Sequence, residues 1–126
     1  SVSRRGRKAD YPRFLKDGDS LVKVGWSKSE KAEYEHKSPK KVLLALSQAL
    51  ASVGSKGRRF TMDKILPLQD AADASTLPDY QCYLCLAWLR QSELVIQHGR
   101  QGYSIPTNCD LISAIDRTWE SLPLRS

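Results

Sequence analysis

Apolar residues recur at three- and four-residue steps between Val42 and Val53. Val42, Leu43, Leu46, Ala49, Leu50 and Val53 share one side of a helix. Ser38 as a cap and Pro39 at the first helical position predict its start, and Gly54 and Gly57 its end, giving a first helix over Pro39 to Ser52. Met62, Ile65 and Leu66 give a second apolar face. Thr61 is placed to cap it, and Pro67 limits it to two turns. Leu68 to Leu77 (LQDAADASTL) is polar, rich in small residues and turn-like. Pro78 opens a third helix with Asp79 at its positive end. Leu94 to Gln97 and Tyr103 to Ile105 read as two strands. They are joined by His98-Gly99-Arg100-Gln101-Gly102, whose glycines suit a tight hairpin. Leu111, Ile112, Ile115, Trp119 and Leu122 then fall in helical register over Asp110 to Leu122.

The segment before Ser38 is patterned differently. Val22, Val24 and Trp26 alternate with Leu21, Lys23 and Gly25, which predicts a strand over Ser20 to Trp26. Tyr11 to Leu15 reads as a short turn ended by Asp17-Gly18-Asp19. Ser27 to Lys37 (SKSEKAEYEHK), dominated by Lys and Glu, reads as a surface loop or a fragile helix. The expected organisation is a flexible basic tail over 1–10, an N-terminal extension with one strand over 11–37, and a domain over 38–122.

From Ser38 to Pro106 the order of helix, helix, helix and β-hairpin resembles a winged helix, a variant of the helix-turn-helix family. Its most telling part is Thr76 to Pro106, TLPDYQCYLCLAWLRQSELVIQHGRQGYSIP. The resemblance implies an α+β fold of mainly helical character. A three-helix core and a β-hairpin wing would be joined by the N-terminal extension and a C-terminal helix. It also implies a short first strand at Arg59-Phe60 pairing with the wing. On the third helix it buries Cys82, Cys85, Leu86 and Leu89, with Leu94 and Ile96 following them into the core. Tyr80, Gln81, Tyr83, Leu84, Ala87, Trp88 and Gln91 are then turned outward. Where many winged helices have Gly before the strand, this chain has Glu93.

Charge sharpens this picture. The 126 residues carry a net charge of +6, but residues 1–60 hold 15 Lys+Arg against 6 Asp+Glu and residues 61–126 hold 5 against 8. A basic half suits an anionic partner, because Lys and Arg that meet phosphates release condensed counterions. No apolar run approaches the roughly 20 residues needed to span a bilayer, and no membrane partner is expected. Ser1 to Asp10 lacks the apolar core of a secretory signal. With no initiator Met, the sequence is expected to be a processed or excised piece. Three cysteines, two of them (Cys82 and Cys85) three positions apart on one helix, argue against a disulfide scaffold and for a cytoplasmic or nucleoid-associated setting.

Catalytic chemistry finds little purchase. Only His36 and His98 are available as bases, one in a charged segment and one in a hairpin, so the chain is expected to be no enzyme and to need no cofactor. Cys82 and Cys85 form a CxxC with His98 and Cys109 downstream, nominally four zinc ligands. Structural zinc sites take that pair from a knuckle turn, whereas here it lies inside a helical pattern, and no metal is expected. Binding remains. The resemblance puts the third helix in a major groove and the wing on backbone or minor groove. Candidate DNA contacts are Arg100, His98 and Gln101 on the hairpin, Lys56, Arg58 and Arg59 before the second helix, Lys40 and Lys41 at the start of the first, and Gln81 and Gln91 on the third. The alternative is a protein-interaction or dimerisation module using Tyr80, Tyr83, Trp88 and Trp119, since exposed Tyr and Trp anchor protein interfaces.

Overall fold

Residues 11–107 and 110–125 are described in the computed structural model of the chain. The basic tail expected over 1–10 and the candidate ligand Cys109 lie outside them. The fold is α+β. A three-stranded antiparallel sheet comprises β1 (Arg13–Asp17), β2 (Ser20–Ser27) and β3 (Ala32–Pro39), in that spatial order. It is followed by α1 (Lys40–Val53), α2 (Asp79–Gln91), the small hairpin β4 (Ile96–Gln97) and β5 (Tyr103–Ser104), and α3 (Leu111–Glu120).

The N-terminal segment departs most from expectation. It holds three strands where one was predicted, and both the turn at Tyr11 to Leu15 and the loop or helix at Ser27 to Lys37 give way to β-structure. The physical reason is a two-residue alternation carried by charge, which an apolar pattern misses. On one face of the sheet Glu33, Glu35 and Lys37 of β3 meet Arg13 at 2.6 Å, Arg125 at 2.9 Å and Asp17 at 2.8 Å. Val22 and Val24 of β2 share that face and are buried, so the long stems of the paired side chains cover them while their heads stay wet. On the other face Phe14, Leu21 and Ser38 turn toward the helices, and Phe14 and Leu21 join the main core. Ser38 therefore does not cap α1. It is fully buried at the end of β3, where the Cys85 thiol donates to its hydroxyl at 3.4 Å. The residue before α1 is Pro39, and the Lys40 N–H bonds to the carbonyl of Asp19 in the first hairpin turn.

The helices follow prediction more closely. α1 buries Val42, Leu43, Leu46 and Leu50, and α3 buries Leu111, Ile115 and Trp119, with Asp110 capping the latter through the Ser113 N–H. The second helix shrinks to a single 3-10 turn, Met62–Lys64, without a side-chain cap from Thr61. Met62 and Ile65 still reach the core from it. On α2 the expected buried set of Cys82, Cys85, Leu86 and Leu89 holds, but Leu84 and Trp88, expected to face outward, are buried too. Trp88 meets Trp119 of α3 edge-on with ring centroids 6.1 Å apart, so the last helix takes up the ring that a three-helix reading leaves outside. After α2 the strand is one residue out of the expected register. Val95 is buried, whereas Ile96 is exposed and Leu94 half-buried.

Candidate nucleic-acid interface

The hairpin forms around a 3-10 turn at Gly99–Gln101, closed by the His98 N–H bonding to the Gly102 carbonyl at 2.8 Å. Inside it, one ring nitrogen of His98 meets the Ser104 hydroxyl at 2.7 Å, which fixes the imidazole against the hairpin. Phe60 then bridges to Tyr103 as a third antiparallel partner, with reciprocal N–H to carbonyl bonds of 2.9 and 2.8 Å. A single β-bridge at Phe60 stands where a short strand was expected at Arg59-Phe60. Gly102 makes it possible. Its φ is 103°, and a Cβ there would stand 2.4 Å from the Phe60 carbonyl oxygen, so no side chain fits.

This pairing decides where the cations go. It brings Arg59, which precedes Phe60, against the turn that carries Arg100 and Gln101. The Arg59 guanidinium donates to the Gln101 side-chain oxygen. Arg58 folds back onto Ser55, donating to its hydroxyl at 2.7 Å and its carbonyl at 3.2 Å. Lys56, Arg58, Arg59, Arg100 and Gln101 are all exposed. Among the described residues no carboxylate pairs with Lys56, Arg58, Arg59 or Arg100; the ion pairs lie elsewhere. Arg59, Arg100 and Gln101 therefore meet at the hairpin with His98 behind them, while Lys56 and Arg58 lie on the segment that leads to Phe60.

The other candidates are dispersed and engaged. Lys40 lies 4.8 Å above the Trp119 ring. Lys41 pairs with Asp70 at 3.0 Å and so ties the polar segment after the 3-10 turn to α1. That hydrogen bond raises the Lys41 ammonium above its ordinary pKa. Asp70 is held below its own, first by the Ala72 N–H and then by Lys41. Gln81 donates to the Tyr80 hydroxyl at 3.2 Å and Gln91 to the Pro12 carbonyl at 3.2 Å. The N-terminal sheet thus lies alongside α2, and Gln91 is bonded to it. Of the residues named for a protein interface, Tyr80 and Tyr83 are exposed at 56% and 48%, while Trp88 and Trp119 are buried at 2% and 7%. Beside the end of α2, Ala87, Arg90, Val95, Ile96 and Pro106 border an open groove of about 740 Å³.

Cys82 and Cys85 of the CxxC lie on the buried face of α2. Cys82 and Cys85 are free and buried, with burial pushing both thiols up, Cys85 to about 12. A thiol held protonated is a poor metal ligand. Among the described residues no group of three potential ligands clusters, and no helix is long and apolar enough to cross a membrane.

Sequence reasoning gave the segment before Ser38 no chemistry, yet Tyr11, Trp26, Tyr34, Lys23 and Lys28 line an open pocket of about 210 Å³ there. The signal lay in the same alternation that builds β3. Comparison of the chain with known proteins finds no matching family, curated protein or solved structure.

Proposed function

We propose that the chain is a non-enzymatic DNA-binding module of winged-helix type, with the β4–β5 hairpin as its wing. Nucleoid association goes with that reading. One observation carries it: the Phe60–Tyr103 bridge brings Arg59 to the hairpin that carries Arg100, and neither has a carboxylate partner among the described residues. Guanidinium groups without a carboxylate partner suit phosphates, which they meet through paired N–H donors. In this reading α1, the 3-10 turn at Met62–Lys64 and α2 stand for the three helices, the middle one reduced to a turn. α2 contributes less to DNA than the family pattern implies, because Gln91 is bonded to Pro12 and Tyr80 borders His36 of β3. Affinity then comes from backbone contacts at the hairpin edge, with little base reading.

The expected outcome is duplex binding that weakens steeply with salt. Arg100→Ala and Arg59→Ala each weaken it and lower the salt slope by about one, as for the loss of one phosphate contact. Lys40→Ala, whose ammonium sits on Trp119, leaves the slope unchanged. Fluorescence anisotropy on a mixed-sequence duplex across a salt series measures all three. Absent binding at low salt, or a slope indifferent to both arginines, overturns the proposal.

The dimerisation alternative retains Tyr80 and Tyr83 but not Trp88 and Trp119, which pack on each other inside the chain.

A further inference from the structure

The pocket at the open end of the N-terminal sheet is lined by Tyr11, Trp26 and Tyr34 together with Lys23 and Lys28; Tyr11 stacks on Trp26 at 5.9 Å and carries the Arg13 guanidinium at 5.1 Å, which leaves Tyr34 as the ring open to the pocket. Its floor is built by a missing side chain. Tyr34 lies across the strand at Gly25, where a Cβ would stand 2.3 Å from the tyrosine Cζ. From Tyr34 the aromatic surface continues onto α2, with His36 5.0 Å from the Tyr34 ring and Tyr80 6.1 Å beyond it. His36 and Tyr80 are exposed. Neither Lys23 nor Lys28 takes part in an ion pair among the described residues. Glu33, which accepts from the Tyr11 hydroxyl at 2.5 Å, is neutralised by Arg13 at 2.6 Å.

We infer that this surface binds single-stranded DNA, one base entering the pocket against Tyr34 and the next lying along His36 and Tyr80, with Lys23 and Lys28 on the phosphates. A volume of about 210 Å³ suits one base, being smaller than the roughly 300–1,000 Å³ of sites for larger ligands. Aromatic platforms beside a basic track are the means by which proteins hold unpaired strands without reading sequence. A protein segment fits less well, because lysine is depleted at protein interfaces and these two lysines await an anion. The choice of DNA over RNA rests on the hairpin reading above. The aromatic surface itself shares no residue with the hairpin.

The test uses the full chain and an oligothymidylate about twelve nucleotides long, the scale of a single-strand site. Trp88 and Trp119 are buried, so quenching of tryptophan emission on titration reports Trp26. Tyr34→Leu and Tyr80→Leu keep bulk but remove the stacking face, and Lys28→Glu reverses one charge. Each ring substitution is expected to weaken oligothymidylate binding by about fivefold or more, and Lys28→Glu to weaken it further at low salt than at high. Thermal melts of the variants confirm that they remain folded, and duplex binding is unchanged in all three. Oligothymidylate that neither binds nor quenches, or that is indifferent to all three changes in folded protein, overturns the inference. Tighter binding of oligouridylate overturns the choice of DNA. Self-association lost in Tyr80→Leu, with no oligonucleotide bound, overturns it in favour of a protein interface. Single strand bound and duplex not bound supports this inference and overturns the hairpin reading.

Discussion

Glu93 sits in the left-handed region, with φ of 63°, at the turn that ends α2. Its N–H bonds to the carbonyl of Arg90 and that of Leu94 to the carbonyl of Leu89, the paired closure that usually employs glycine. A side chain there costs about 1–2 kcal/mol. Glu93→Gly is therefore expected to raise stability by about 1 kcal/mol, less than the full strain because glycine also loosens the unfolded chain; urea unfolding measures it. Cys85 illustrates the opposite balance, since its burial favours the neutral thiol. With the folded value raised to about 12, the native state keeps its proton. The stability this contributes is complete below the unfolded thiol's value, about 8.5, and is lost as pH rises toward the folded one. In a Cys109→Ser background, a disulfide reagent at mildly alkaline pH is expected to leave Cys82 and Cys85 unmodified until denaturant is added. At this scale the sequence was readable where a residue's surroundings are local. The departure at Glu93 could be seen from its place before a strand. The burial of Trp88 could not, because its cover, Trp119, lies on an element 31 positions away in the chain.

β3 shows how an element can be missed and yet be well specified. Ala32–Pro39 lacks an apolar stripe, so its hydropathy resembles a loop. Its partners lie on β1 and near the C-terminus, and only pairing in space gives each Glu or Lys an opposite charge. Asp17 of β1 is held below its ordinary value by its hydrogen bond and attraction to Lys37. A lowered carboxyl contributes stability above its unfolded value, about 3.9, and loses it as pH falls through the folded value. The unfolding midpoint is expected to fall below about pH 4, and Asp17→Asn to flatten that fall. These groups are partly exposed, so added salt weakens the effect. The helices were legible because each buries a continuous stripe of its own. The second helix was not, because Pro67 and the polar run behind it left too few residues to propagate beyond one turn.

Across the whole molecule, charge separates into two kinds. Among the described residues, cations of the sheet's outer face are matched by acids, whereas those at the hairpin edge and in the aromatic pocket are not. The uneven charge of the sequence announced a basic half but not this division, which depends on which strands lie side by side. The arginines of the hairpin edge were found from their nearness to glycine turns. The pocket was overlooked because Tyr11, Trp26 and Tyr34 come from three strand ends that meet only after folding. The same long reach appears at the sheet's border. The backbone of Lys16 on β1 bonds to Pro123 and Arg125 at 2.9 Å each, closing a loop of more than a hundred residues. The hairpins β1–β2 and β2–β3 join neighbours in the chain and form early, whereas so long a closure waits on everything between. During synthesis on the ribosome the sheet therefore emerges with one border of unpaired amides and carbonyls. That border stays available to a neighbouring nascent chain until residues 123–125 arrive to cover it.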